Sequence, residues 1–375
     1  MSKSFEGSRR HFVAAGAGAA AMLGFPMIAK SAGPTTMRWQ GAWSEKDIFH
    51  EYALDFARKV LDMTGGDLRI QLLPAGAIAP AFGLLDAVSK GAVDGAHGAL
   101  VYHYEKQAAL ALWGSGPAFG MDANMVLAWH KYGGGQGLLN KLYASMAANV
   151  VSFLYGPNPT QPLGWFKKPI AKVEDFRGLK YRTVGLSLDM ATGLGGTATA
   201  LPGTETAGAM ERGMIDAAEI NNATSDRRLG LAAVAKVCML QSFHQNAEQF
   251  EILLNKSKYD ALPETMKAIL ANAVEAASAD MSWKAIDRYS RDYIELQTID
   301  KVRFYKTPDG VLQKQLEVFD QIADKKSSEN ALFKEVVESQ KAFAERVVRW
   351  DLDTSVNRRM AYSHYFAMRQ SARKS

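Results

Sequence analysis

The chain has 375 residues, 47% of them apolar and 22% charged, which suits about two folded domains and rules out disorder along its whole length. Its formal charge of +5 says little about partners, because residues 1–32 hold Lys3, Arg9, Arg10 and Lys30 against Glu6. About +2 is left for the remainder, no basic stripe is interleaved with aromatics, and nothing points to nucleic acid.

The first segment has the form of an export signal. Ser8-Arg9-Arg10-His11-Phe12-Val13 matches a twin-arginine motif, an uncharged Gly/Ala-rich run follows to Ile28, and small residues near Ala29, Ser31 and Ala32 offer a cleavage site. The uncharged run is short of the ~20 residues that span a bilayer, so a cleaved signal and a periplasmic mature protein are expected. Next, "TMRWQGAW" alternates as a strand. "DIFHEYALDFARKVLDMTGG" places Ile48, Tyr52, Phe56 and Val60 at helical spacing and stops at Gly65-Gly66. Leu68, Ile70 and Leu72 alternate in another strand, Leu84 to Lys90 forms a short helix closed by Gly91, and Val93 to His97 forms a third strand. This order predicts a parallel sheet with helices on its faces.

A second α/β unit follows. "VVSFLYG", "LGWFKK" and "GLKYRTV" read as strands, Leu186 to Leu194 as a helix, "ATALP" as a strand, Thr204 to Arg212 as a helix, and Met214 to Glu219 as a strand. Ala87 to Ala96 and Ala209 to Ala218 share one pattern: Ala, two residues, a basic residue, Gly, one residue, a β-branched residue, Asp, a small residue, Ala. Each reads as a helix, a left-handed Gly cap and a buried strand start. In that register His97 stands where Glu219 stands. Both lie past a strand's C-terminal end, where α/β folds place ligands. From Pro263 onward the chain is strongly helical, with further segments about Val311 to Lys325 and Leu332 to Arg349. Cys238 lies in the apolar run "AAVAKVCML" and reads as a buried hydrophobe.

Enzyme signatures are missing. There is no P-loop and no G-x-S-x-G. His50-Glu51 starts an H-E-x-x-H motif that fails at Leu54, so both read as surface residues, and "KYGGGQGLL" reads as a flexible turn. The informative residues are polar ones beside apolar strands: Asn158 after "FLYGP", Gln161 before "LGWF", Arg182 ending "GLKYR", Glu219 ending "MIDAAE", and His244-Gln245 after "MLQSF". Arg182 has the planar fork that suits a carboxylate. Gln161, Glu219 and Gln245 offer the oxygens that suit a hard cation such as Na⁺ or Ca²⁺. A competing class is an exported metal-dependent enzyme acting on an organic acid, with Glu219 and His244 as acid–base groups; the missing nucleophile and transition-metal cluster count against it.

From about Met37 to Trp350 the sequence resembles the periplasmic solute-binding receptors of TRAP transporters, in the branch that includes 2-oxo-acid and lactate receptors. The resemblance is carried by "AFGLLDAVSKGAVDGAHGA", "TQPLGWF", "VEDFRGLKYRTVGL", "LPGTETAGAMERGMIDAAE" and "SFHQNAEQFEILLNKSKYDALP", in that order. It implies an α/β, two-lobed periplasmic binding protein (type II-like) with an interlobe cleft and long C-terminal helices. It divides the chain into a signal (1–32), lobe 1 (33–155), lobe 2 (156–255) and a helical segment (256–375) that braces the lobes and dimerises. It also implies Arg182 as the carboxylate grip and a cation bridging protein and ligand through Gln161, Glu219, Gln245 and the carbonyl of Ile220. Asn158 and Tyr102 become cleft contacts, and His97 and His244, from their places at strand ends, are also expected to bind the ligand. A membrane permease is the implied partner. Where that branch usually has tryptophan after its glutamate, this chain has Ile220-Asn221-Asn222; Asn221 and Asn222 are expected to read the ligand.

Overall fold

The computed structural model describes residues 33–372, with side chains to residue 366. The expected signal at 1–32 lies outside the described residues. Among the described residues eleven strands occur in chain order: β1 Thr35–Gly41, β2 Leu68–Leu73, β3 Gly95–Ala99, β4 Val150–Asn158, β5 Gly164–Phe166, β6 Lys180–Arg182, β7 Thr197–Thr199, β8 Ala217–Ala218, β9 Val237–Leu240, β10 Glu248–Asn255 and β11 Arg303–Lys306. They make two sheets, ordered β2-β1-β3-β10-β4 and β11-β9-β5-β8-β6-β7.

The internal echo is a real structural repeat. In the first sheet β1 pairs in parallel with β2 and β3; in the second β6 pairs in parallel with β7 and β8. Gly91 and Gly213 both have positive φ, at 75° and 69°, so each helix closes in the left-handed conformation that glycine adopts without a Cβ penalty. The aspartate that follows makes the same bonds twice. Asp94 N donates to Arg38 O and its carboxylate accepts from Arg38 N; Asp216 does the same with Lys180. His97 and Glu219 hold equivalent positions past these turns, as the register of Ala87–Ala96 and Ala209–Ala218 requires.

Two expected boundaries move. Strand β10, placed by sequence in residues 156–255 of the second unit, pairs antiparallel with β3 and β4 in the first sheet. Every residue of β10 is buried, and a strand covered on both faces is satisfied by a central place with a neighbour on each side. The "helical" segment 256–375 also supplies β11, which extends the second sheet beside β9. The chain therefore crosses from the first sheet to the second through residues 159–163 and returns through 241–247. The 35-residue helix Glu264–Thr298 packs on β4, on the helix Ile48–Met63 and on the helix Ala223–Arg228, and so spans both units.

The core of the first unit holds Trp39, Phe49, Phe56, Trp113, Trp129 and Phe250, joined by Phe319, Phe333 and Val336 from the helices Asp309–Glu329 and Ala331–Thr354. Cys238 is buried on β9, as its apolar neighbours suggested. His50 is also buried, against the expectation of a surface residue, because its position on the helix Ile48–Met63 brings it under Gly41. "KYGGGQGLL" opens the helix Gly135–Ser145 after a left-handed Gly134, where a turn alone was expected.

Candidate functional site

Arg182 ends β6 and Glu219 follows β8, its neighbour in the sheet, so the register sets the two side chains together. Both are buried, at 1% and 0% exposure. Arg182 Nη1 donates to Glu219 Oε1 at 3.1 Å and to the Glu219 carbonyl at 2.6 Å. Nε and Nη2 both donate to the Leu201 carbonyl. These four bonds leave one N–H on Nη2, with a second released if Glu219 turns toward a cation. Thr183 Oγ1 donates to Glu219 Oε1 at 3.0 Å.

The second crossover segment brings the Gln245 amide to this pair, and the first lies beside it. The backbone N–H of Gln161 donates to the Gln245 carbonyl at 3.2 Å, so the crossovers are tied to each other. The Gln245 side-chain amide faces Glu219, with one terminal atom 3.2 Å from both Oε1 and Oε2. With nitrogen in that place, the amide donates to both oxygens. With oxygen there, three oxygens converge, which is favourable only around a cation. Gln161 Oε1 is buried with no hydrogen-bond partner, and so are both polar atoms of Asn158 and Nε2 of His244. Buried polar atoms without partners are costly, and a bound ion or ligand satisfies them. His244 Nε2 lies 4.0 Å from Glu219 Oε2, while its Nδ1 is 2.6 Å from Ser242 Oγ.

The side chains gathered here, one carboxylate and two amides, offer the oxygen donors that suit a hard cation, and the side chain of Ile220 is packed into the apolar core of the second unit. No group of three or more His, Cys, Asp or Glu side chains is arranged to hold a metal among the described residues. When bound, the ion would supply a fixed positive charge to a ligand carboxylate.

Tyr102 packs edge-on to Phe82 and against Trp43. Burial raises its pKa, and its hydroxyl also feels the charges of Arg182, Glu248 and Glu219, which places it at the cleft. It lines an interlobe cavity of about 250 Å³ with Phe82, Val101, Val184, Gly185 and Leu188. The two units meet closely there: a Cβ on Gly185 would lie 2.5 Å from Ser115 Oγ. Across the cleft Ser225 Oγ donates to Asp47 Oδ1 at 2.6 Å, and Tyr104 donates to Asp189 Oδ2 at 2.5 Å.

Two expected ligand contacts, His97 and Asn222, are otherwise engaged. His97 accepts from Trp43 Nε1 through Nδ1 and meets the Tyr155 hydroxyl through Nε2, so neither nitrogen is left for a ligand. Burial pulls its pKa down to about 3, so it is neutral. Asn222 caps the helix Ala223–Arg228, accepting from Thr224 N and Ser225 N. Asn221 gives its backbone N–H to Asp226, which also accepts from Trp165 Nε1 at 2.7 Å. "EINN" is thus largely a helix start, the side-chain oxygen of Asn222 meeting otherwise orphaned backbone N–H groups.

Sequence reasoning missed Glu248. It opens β10 opposite Asn158, is 5% exposed, and accepts from Gln161 Nε2 through Oε2 at 2.7 Å. Burial pushes its pKa up to about 8, Glu219 adds to the rise, and the hydrogen bond from the Gln161 amide opposes it. The available signal was a carboxylate three residues after Gln245, just ahead of Phe250 and the apolar run Ile252 to Leu254.

The model of the DctP family, bacterial extracellular solute-binding proteins of family 7, matches residues 40–330. The chain belongs to that family. A monocarboxylate 2-oxoacid-binding periplasmic protein of a Nostoc species is 31% identical over 85% of this chain and 87% of its own length. Among solved structures, a TRAP transporter solute-binding protein of Bordetella bronchiseptica matches this DctP family chain with a TM-score of 0.83, at 26% identity over 92% of this chain and all of the other. That structure is a mixed-occupancy dimer with calcium and picolinate in its active site. A TRAP periplasmic solute-binding protein of Pseudoalteromonas atlantica, with bound sodium and pyruvate, matches with a TM-score of 0.81, at 27% identity over 89% of this chain and 99% of the other. No described helix of this DctP family protein is long and apolar enough to cross a membrane.

Proposed function

We propose that this DctP family protein is the periplasmic receptor of a TRAP transporter for a small monocarboxylate, which it delivers to the permease without chemical change. The observation that carries the reading is the buried Arg182–Glu219 pair with the Gln245 amide set against both Glu219 oxygens. In this reading Arg182 takes one ligand oxygen through Nη2. Glu219, Gln161, Gln245 and the carbonyl of Ile220 would hold a sodium or calcium ion, which would supply positive charge to the ligand carboxylate. Asn158, Tyr102 and His244 complete the cleft, and hinge motion at the two crossovers opens and closes it. Relatives that hold pyruvate or picolinate with a cation support this ligand class. Thermal-shift titration tests it: pyruvate should raise the melting temperature when sodium or calcium is present and lose that effect after chelation in sodium-free buffer. No shift from any monocarboxylate in any salt sinks the reading.

Export through the Ser8–Val13 motif and assembly as a homodimer belong to the same proposal. The dimer is supported by the exposed apolar side chains of Trp350, Leu352, Val356, Met360, Tyr362 and Tyr365 near the C-terminus. Because Phe319, Phe333 and Val336 belong to the core, truncation must spare the helices that carry them. A chain ending at Thr354 should sediment as a monomer and keep its acid affinity; a dimer that persists would place the interface elsewhere.

A further inference from the structure

Relatives of this fold hold either sodium or calcium, and the residues around the cage bear on that choice. Glu248 is the residue the four-ligand scheme leaves out. Its Oε2 accepts from Gln161 Nε2 at 2.7 Å, which fixes that amide with nitrogen toward Glu248 and leaves Oε1 buried and unpartnered. A ligating amide fixed in this way by an outer carboxylate is the usual second layer of a metal site. Gly114 makes the placement possible, since a Cβ there would lie 3.2 Å from Glu248 Oε1 and 2.7 Å from Val101 Cγ1.

The charge inventory points the same way. Glu219 and Glu248 are both buried carboxylates linked through Gln161 and Gln245, and the one buried guanidinium beside them, Arg182, is already bonded to Glu219. A monocarboxylate ligand adds a third negative charge. With Glu248 ionised a divalent ion balances this set, whereas with sodium it is balanced only when Glu248 keeps the proton that burial favours.

We propose that Glu248 is a positioning residue that commits this site to a calcium-sized divalent cation over sodium, by holding the Gln161 amide oxygen toward the ion and by placing a second carboxylate beside it. This rests on the carboxylate-receptor reading given above. The test uses the full mature chain stripped with chelator, in choline buffer. Pyruvate is titrated by calorimetry with calcium, with sodium or with neither, and terbium luminescence reads ion binding without any ligand. Wild type should bind pyruvate with calcium, and sodium should not substitute. Glu248→Gln should lose calcium-dependent affinity by roughly 10- to 100-fold and bind terbium correspondingly more weakly. Glu248→Asp, which keeps the charge, should recover part of both. Equal support from sodium in wild type, or an unchanged calcium preference in Glu248→Gln, overturns the inference whether or not pyruvate binds. If pyruvate binds under no condition, the carboxylate reading fails. The cation inference then stands only if terbium is displaced by calcium and not by sodium, with both effects weakened in Glu248→Gln.

Discussion

Arg182→Ala abolishes carboxylate binding, with affinity falling at least ~100-fold, equivalent to about 2.8 kcal/mol. The charged donor facing the ligand is lost, and no other buried arginine or lysine stands in the described site. The substitution also lowers the melting temperature. Arg182 makes four hydrogen bonds, two to the Leu201 carbonyl and two to Glu219. Its loss leaves Glu219 buried without a countercharge, and breaking such a pair costs about 3–5 kcal/mol. For a protein of this size that is a drop on the order of 10 °C. Arg182→Lys separates the roles, because an ammonium restores charge but cannot span Leu201 and Glu219 together. Calorimetry with pyruvate and cation, beside a melting curve, checks both. Unchanged affinity in a folded Arg182→Ala protein would show that the ligand carboxylate is gripped elsewhere.

Stability of the ligand-free, metal-free protein rises as pH falls from about 8 toward 6.5, below which the buried neutral His97 and His130, with pKa values pulled down to about 3 and about 4, oppose a further rise. Burial pushes Asp226 up to about 7 and Glu248 up to about 8. Both folded pKa values lie above the ordinary carboxylate range, so the folded state binds these protons more tightly than the unfolded chain does. Their stabilisation is full below the unfolded values near 4 and is lost as pH rises through 7 and 8. The combined effect is on the order of several kcal/mol. Asp226→Asn should flatten the dependence, at the cost of one bond, since a single amide oxygen cannot accept from both Trp165 Nε1 and the Asn221 N–H. Melting curves in chelator at several pH values decide it. A flat or reversed profile would show both groups ionised in the folded state.

The parts of the fold that were legible share one property: their signal is local. The helix Ile48–Met63, the strand β2 and the two Gly-capped turns follow from spacing and glycine position, and each turn matches its counterpart down to the aspartate's bonds. Arg182, Gln161, Glu219 and Gln245 stand out in the sequence because polar residues bordering apolar strands need partners. The structure brings Gln245 against Glu219 and ties the backbones of Gln161 and Gln245. His97 misled because its position matches that of Glu219 while its partners, Trp43 and Tyr155, lie far away in sequence. Asn222 misled because a helix cap and a ligand contact use the same side-chain oxygen. Glu248 was passed over because a strand's first residue carries no sign of which sheet the strand will join.

By itself the sequence determined the α/β class, the repeated helix–glycine–strand unit, the core periodicities and the kinds of chemistry present: one arginine, one carboxylate and amides at strand ends. These are set by residue type and near-neighbour spacing. Only the tertiary structure decided that β10 returns to the first sheet and that the two crossovers meet. It likewise decided that Glu248 faces Gln161 and that Arg182 spends most of its donors on protein oxygens. Those are pairings across long stretches of chain, settled by which buried surfaces and polar groups find partners once the whole molecule has closed.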